Sequence, residues 1–320
     1  YEISSVEEQI TFEGSLKSRK VEVGELILAN SMSFGKTYKL NISGCIYDGW
    51  FVLREYQDDF YINFFHQLLN SNYMQKQYIR FSTGGVVQNI SSEIVYSTKI
   101  CKPNLYEQQK IASFLSAIDE KLQQLTKKKE LLEDYKKGIM QKIFSQEIRF
   151  KDDSGSEYPD WQEKKLGQVC SVVKGKQLNK SELTKSGLYP ALNGGINPSG
   201  YTSKWNTEKN VITISEGGIS CGYVNLSKTK FWCGGHCYAL LEINDNTNFK
   251  YLFQILKFLE NKIMRLRVGS TLPNIQMKEI NRFLVFIPNL EEQVMIANVL
   301  SSIDKKIEFV SHQLEKNKEF

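Results

Sequence analysis

One stretch of this chain is written twice, and that repetition constrains its architecture more than any other feature. Pro103-Asn104-Leu105-Tyr106-Glu107-Gln108 returns as Pro288-Asn289-Leu290-Glu291-Glu292-Gln293, 185 residues later. The match continues without a gap to Lys121 and Lys306, with 12 identical residues that include Ala112/Ala297, Ser116/Ser301 and Asp119/Asp304. At the same offset Gly84, Asn89 and Ile90 fall on Gly269, Asn274 and Ile275, and 24–29 resembles 209–214 more loosely. A match of this length and register is a duplication, here of a globular head followed by a helix.

After each Pro-Asn-Leu the apolar period becomes helical. In copy one it falls on Ile111, Leu115, Ile118, Leu122 and Leu125, and in copy two on Ile296, Leu300, Ile303, Ile307 and Val310. Spacings of four and three make the seam of a coiled coil. Glu107 and Glu291/Glu292 suit the positive end of a helix. A helix from Glu107 to Phe144 would be roughly 55–60 Å long. It cannot bury its stripe alone, so the spacing predicts that the two helices pair, antiparallel and related by an approximate two-fold. The expected fold is α+β (mixed α/β): two repeated β-rich heads joined by long helices.

The expected boundaries are a first head at 1–103, a helical spacer at 104–147, a linker at 148–160, a second head at 161–288 and a second spacer at 289–320. Strands are expected at Leu26–Ala29, Cys45–Leu53, Gln168–Val173, Asn210–Ser215, Gly222–Leu226, Tyr238–Ile243 and Phe283–Ile287. One helix per head is expected, at Ile62–Tyr78 and Phe249–Leu266, with Asn63 and Asn248 as caps. Copy one has no counterpart for the opening of copy two. The second helix stops at Phe320, where the first continues. Both ends therefore read as clipped, as does the absence of an initiator Met.

Between strands lie Gly-rich loops: 174–177, 193–195, 215–218, 234–236, and the equivalent pair 83–85 and 269–271. Glycine lets backbone N–H groups approach an anion, Lys and Ser/Thr place phosphates, and Gln and Asn read base edges. The candidate DNA contacts are Lys174, Lys176, Gln177, Asn193, Ser270 and Thr271 in head two, and Lys36, Lys39, Thr83 and Gln88 in head one. A net charge of +5, from 41 Lys and Arg against 36 Asp and Glu, permits such a partner without requiring it.

These residues resemble the type I restriction–modification specificity subunit. The resemblance rests on Gly269-Ser270-Thr271-Leu272-Pro273-Asn274-Ile275, Val285-Phe286-Ile287-Pro288 and Leu290-Glu291-Glu292-Gln293. Copy one repeats it as Gly84-Gly85-Val86, Cys101-Lys102-Pro103 and Leu105-Tyr106-Glu107-Gln108, lacking Ser-Thr after its first glycine. Tyr158-Pro159-Asp160-Trp161 followed by Lys164-Lys165-Leu166-Gly167 looks like the entry to a target-recognition domain. The resemblance implies two such domains reading the halves of a bipartite site in double-stranded DNA. It implies helices that set the gap and dock two methyltransferase subunits, with restriction/translocase subunits joining. It implies no cofactor in this chain, with S-adenosylmethionine, ATP and Mg²⁺ on the partners, and a role in DNA methylation and bacterial defence.

Rival chemistry finds little support. The chain has no phosphate-binding Gly-x-x-x-x-Gly-Lys-Ser/Thr loop. Asn197-Pro198-Ser199-Gly200-Tyr201 only faintly resembles an amino-methyltransferase motif. Pro159-Asp160 with Glu163 and Lys165 is too compact for a nuclease metal site. Cys233-Gly234-Gly235-His236-Cys237 with Cys221 lacks structural-zinc spacing and reads as core. His66 and His312 have no nucleophile partner. No catalytic or metal residues are therefore expected. Without a secretory signal or membrane span, the six cysteines read as reduced and cytoplasmic. The alternatives are a coiled-coil scaffold that binds no DNA, and a self-contained DNA-modifying enzyme.

Overall fold

The computed structural model describes residues 1–31, 33–82, 89–269 and 273–318. Its contacts divide the chain into two units, Tyr1–Gln124 and Leu125–Phe320.

Unit one holds β1 (Glu2–Ile3), α1 (Phe12–Lys17), β2 (Arg19–Val21), β3 (Leu26–Ala29), β4 (Thr37–Leu40), β5 (Gly44–Ile46) and β6 (Trp50–Leu53). It continues with α2 (Ile62–Asn70), α3 (Asn72–Phe81), α4 (Ser92–Ser97) and the start of α5 (Leu105–Phe144). The main sheet has the order β1-β4-β3-β6. Alternate residues of a strand face opposite sides, and β3 is buried on both. Leu26 and Leu28 pack with Phe64, Phe65, Met74 and Tyr78, while Ile27 packs with Val21 and Leu40.

Unit two holds β7 (Gln162–Lys165), α6 (Leu166–Val169), β8 (Ser171–Lys174), β9 (Tyr189–Leu192), β10 (Gly200–Thr202), β11 (Val211–Ser215), β12 (Val224–Ser227), β13 (Trp232–Cys233) and β14 (Cys237–Leu241). α7 (Phe249–Phe258), α8 (Glu260–Met264), α9 (Met277–Arg282), β15 (Leu284–Ile287) and α10 (Leu290–Lys318) complete it. Its largest sheet runs β12-β11-β14-β8 and a smaller one β10-β9-β13. Ile212 and Ile214 of β11 join a core with Tyr251, Leu252 and Ile255 of α7.

The mixed α/β class and two β-rich units agree with the expectation, with several corrections. The expected strand Cys45–Leu53 is two strands, because Tyr47–Gly49 turn the chain between β5 and β6. Gln168–Val173 begins as the helical turn α6 before β8. Each expected head helix is broken in two. Ser71 leaves the helical region and caps α3 by accepting from Met74 N, and Leu259 interrupts the second. Asn248 does cap α7, accepting from Lys250 N and Tyr251 N. Asn63 is not a cap: it lies inside α2, where Oδ1 accepts from Lys39 Nζ at 3.3 Å.

The helical seam is also reassigned. Within unit two, Met140 and Ile143 of α5 share a core with Ile296, Ala297, Leu300 and Ile303 of α10. Lys136 Nζ meets Asp304 Oδ1 at 2.6 Å, and Arg149, beyond the end of α5, reaches Glu292. Rising numbers on one side meet falling numbers on the other, so this pairing is antiparallel. Val310 is buried and Ile307 packs against the core. In copy one Leu125 is buried, but Ile111 packs with Ala112 on the core of its own head, Ile118 and Leu122 are half-buried and Leu115 is exposed. Antiparallel pairing sets the start of α10 against the end of α5, so the facing stripe is the later one. The division between units falls inside α5.

Candidate nucleic-acid interface

The repeated Gln does more than mark the start of a helix. Gln108 is fully buried. Its Oε1 accepts from Tyr61 N at 2.8 Å, and its Nε2 donates to the carbonyls of Asp59 and Pro103 at 3.0 and 2.8 Å. Gln293, equally buried, takes Asn248 N at 2.8 Å and donates to Asn246 and Pro288 at 3.0 and 2.9 Å. One amide satisfies three backbone groups that would otherwise be buried unpaired, and it clasps each head to its helix. Sequence reasoning found the motif but not this role.

The neighbouring carboxylates differ. Glu292 is fully buried and accepts from Arg149 Nε and Nη2 at 3.2 and 2.9 Å and from Trp161 Nε1 at 3.0 Å. These bonds tie the start of head two to α10, and the Glu292 hydrogen bond holds the Arg149 guanidinium above its usual pKa. Glu107, its repeat counterpart, is exposed.

In head two the expected contact loops come together at one end of the β12-β11-β14-β8 sheet. Gly175 N donates to Cys237 O and Lys176 N to Cys233 O, both at 2.9 Å. Gly234 N donates to Leu192 O at 2.8 Å, and His236 N to Asn193 Oδ1 at 3.1 Å. Glu216 N donates to His236 O, and Gly218 N to Pro273 O, at 2.9 and 3.0 Å. The loops pack backbone against backbone. A Cβ on Gly175 would lie 2.2 Å from Gly234 O, and one on Gly194, at φ +86°, 2.7 Å from His236 O. These two glycines serve loop packing first, a reason for their presence that does not involve a ligand.

Beneath the loops lies Glu216, a residue the sequence showed only as part of a Gly-rich turn. It is 5% exposed. Its Oε1 takes Lys174 Nζ at 2.5 Å, and the Tyr238 hydroxyl lies 3.0 Å from Oε1 and 2.9 Å from Ile275 O, two acceptors for one proton. Among the described residues no donor meets Oε2 with hydrogen-bond geometry. Burial pushes this carboxyl up, but hydrogen bonds from Lys174 and Tyr238, the Lys174 charge and the nearby Asn274 amide outweigh it and hold the pKa below the usual range. Burial, and then the same contact, push Tyr238 up.

The expected contacts therefore separate. Lys174 is engaged by Glu216, and Asn193 spends its carbonyl oxygen on the His236 backbone. Lys176 is exposed, with its carbonyl held by Trp232 Nε1 at 2.7 Å and no ion pair for its ammonium among the described residues. Gln177 is exposed beside Gly235. In head one Lys36 lies 5.3 Å from the centre of the Tyr1 ring, and Lys39 reaches Asn63. Thr83, Gln88, Ser270 and Thr271 lie outside the described residues.

Cys233 and Cys237 pack with Leu192, Phe231 and Ala239, and Cys221 joins the larger core. Among the described residues no group of three or more His, Cys, Asp or Glu is arranged to hold a metal, and no helix is long and apolar enough to cross a membrane.

The family model for the type I restriction modification DNA specificity domain matches residues 3–133 and 158–318. A Mycoplasma pneumoniae chain described as a type I specificity subunit is 35% identical over 161 residues, which are 50% of this chain and 43% of that one. The MjaVIII specificity subunit of Methanocaldococcus jannaschii is 25% identical over 292 residues, covering 82% of this chain and 68% of that one. This chain thus spans less than half the length of the Mycoplasma relative. The crystal structure of a type I restriction–modification S subunit from M. genitalium superposes with a TM-score of 0.71 at 21% identity, over 93% of this chain and 80% of that one, a likeness of fold. Two matched segments, each ending in the same clasped helix, place this chain in the type I restriction–modification DNA specificity family.

Proposed function

We propose that this chain is a non-catalytic reader of double-stranded DNA that directs partner subunits of a type I restriction–modification complex. Each head reads one half of a bipartite site. α5 and α10, approximately two-fold related, fix the gap and carry two methyltransferase subunits, which restriction/translocase subunits join. S-adenosylmethionine, ATP and Mg²⁺ belong to those partners, and the complex acts in the cytoplasm. The observation that carries this reading is the convergence of four Gly-rich loops at one end of head two, with Lys176, Gln177 and His236 turned outward, in a chain of this family. Exposed cations suit phosphates, and an exposed amide suits a base edge. In head one Lys36, Lys39, Thr83 and Gln88 take the corresponding part, with Ser270 and Thr271 added in head two.

The test is to co-express the chain with its methyltransferase subunit and map modified adenines across the genome. A two-part motif with a fixed gap is expected, and exchanging residues 161–288 should change one half only. A continuous motif from a verified assembly would sink the two-reader reading, and no methylation would favour the scaffold. DNA affinity should also fall steeply with salt, because neutralised phosphates release counterions.

A further inference from the structure

A buried carboxylate with an unused oxygen calls for a donor, since an unmade hydrogen bond on a charged group is expensive. For Glu216 Oε2 a candidate donor is His236 Nδ1, 3.7 Å away. That distance is too long for a hydrogen bond. The His236 backbone is fixed, its N–H on Asn193 Oδ1 and its carbonyl on Glu216 N. Its side chain is 61% exposed. The ring therefore has solvent on one edge and an unsatisfied carboxylate oxygen on the other.

We propose that His236 binds a DNA backbone phosphate in its protonated form, with Glu216 as its positioning carboxylate. The proposal rests on the DNA-reading function above. With His236 neutral, Lys174 and Glu216 cancel, which leaves exposed Lys176 to meet a phosphate. One proton on His236 adds about one positive charge, lets Nδ1–H close on Oε2, and leaves Nε2–H for the phosphate oxygen. Glu216 after β11 meets the ring, Lys174 at the end of β8 and the Tyr238 hydroxyl of β14 meet Glu216, and Lys176 lies on the loop bonded to Cys233. An arriving phosphate favours the protonated ring, so DNA binding by head two takes up a proton and affinity rises as pH falls.

The experiment measures binding of a fluorescein-labelled, random-sequence DNA duplex to the full chain by anisotropy from about pH 8 to about pH 6. Titration calorimetry in buffers of different ionisation enthalpy reads the proton uptake directly. One proton allows at most about a tenfold gain in affinity per pH unit. The wild type should show this dependence, and His236→Gln should lose it. Glu216→Gln should reduce the uptake, a change that mere loosening of the loops would not mimic. Wild type and His236→Gln with the same proton uptake would overturn this inference and leave DNA reading intact. A folded chain that binds no duplex at any pH would overturn the DNA reading on which it rests.

Discussion

In head two, β14 is covered on its outer side by β8, whereas in head one the corresponding β6 forms the edge of its sheet among the described residues. The correspondence follows from the hydrogen bonds. Leu26 pairs Leu53 and Ala29 pairs Trp50, as Ile212 pairs Leu240 and Ser215 pairs Cys237. Asn30 N donates to Gly49 O and Asn30 O accepts from Ile90 N, as Glu216 does with His236 and Ile275. Asn30 is thus the counterpart of Glu216, one residue out of register with the helical repeat. Where head two has a carboxylate with Lys174 on it, head one has an amide that donates to Asp48 O at 2.9 Å. Glu216 is buried with Lys174 on it, and uncharged Asn30 holds the matching place in head one. A buried carboxylate needs a cation beside it; the Gln clasp, which needs only backbone, is the same in both heads.

The largest expected effect tests that rule at the helix starts. Glu292→Ala strands Arg149 in a partly buried site and should destabilise head two by about 3–5 kcal/mol. Glu107→Ala, at the matching exposed position, should change head one by less than about 0.5 kcal/mol. Hydrogen exchange read by mass spectrometry resolves the heads separately, and equal losses would break the comparison.

The clasp should behave oppositely. Gln108→Ala and Gln293→Ala each leave three backbone groups without their partner, and each should lower the stability of its own head by about 1–3 kcal/mol. A clear inequality would mean that one clasp has support the other lacks. Gly175→Ala should cost about 1–3 kcal/mol in head two, because its Cβ meets backbone that cannot move aside, and thermal denaturation would register it.

The smallest expected effect is on pH. Glu216 has a depressed folded pKa, so its contribution is present above the unfolded carboxylate pKa and is lost as pH falls through the folded value. Exchange from head two should accelerate over that acidic window in the wild type and less so in Glu216→Gln, while head one responds equally in both. An unchanged response in the variant would show that the Lys174 contact adds nothing to folding.

The duplication, the long helices, the mixed α/β class and the Gly-rich loops of head two were legible in the sequence because each is a local pattern of period, composition or repetition. The split of both head helices was not, since Ser71 and Leu259 interrupt an apolar period that runs on past them. Asn63 and Asn248 both read as caps before an apolar run, but only Asn248 caps its helix. Nor could the apolar stripe of α5 announce which part faces α10, because Ile111 and Ile143 fit a helical period equally well. The repeat sets Glu107 at the place of Glu292, and the Gly-rich loop puts Lys174 among the DNA contacts. Tertiary structure decided otherwise by bringing Arg149 and Trp161 to Glu292, and Glu216 to Lys174, across 42 to 143 residues of chain. Periodicity fixes which side of an element is buried, but the energy of a buried charge depends on the partner that meets it there, and that partner is set by how distant segments pack.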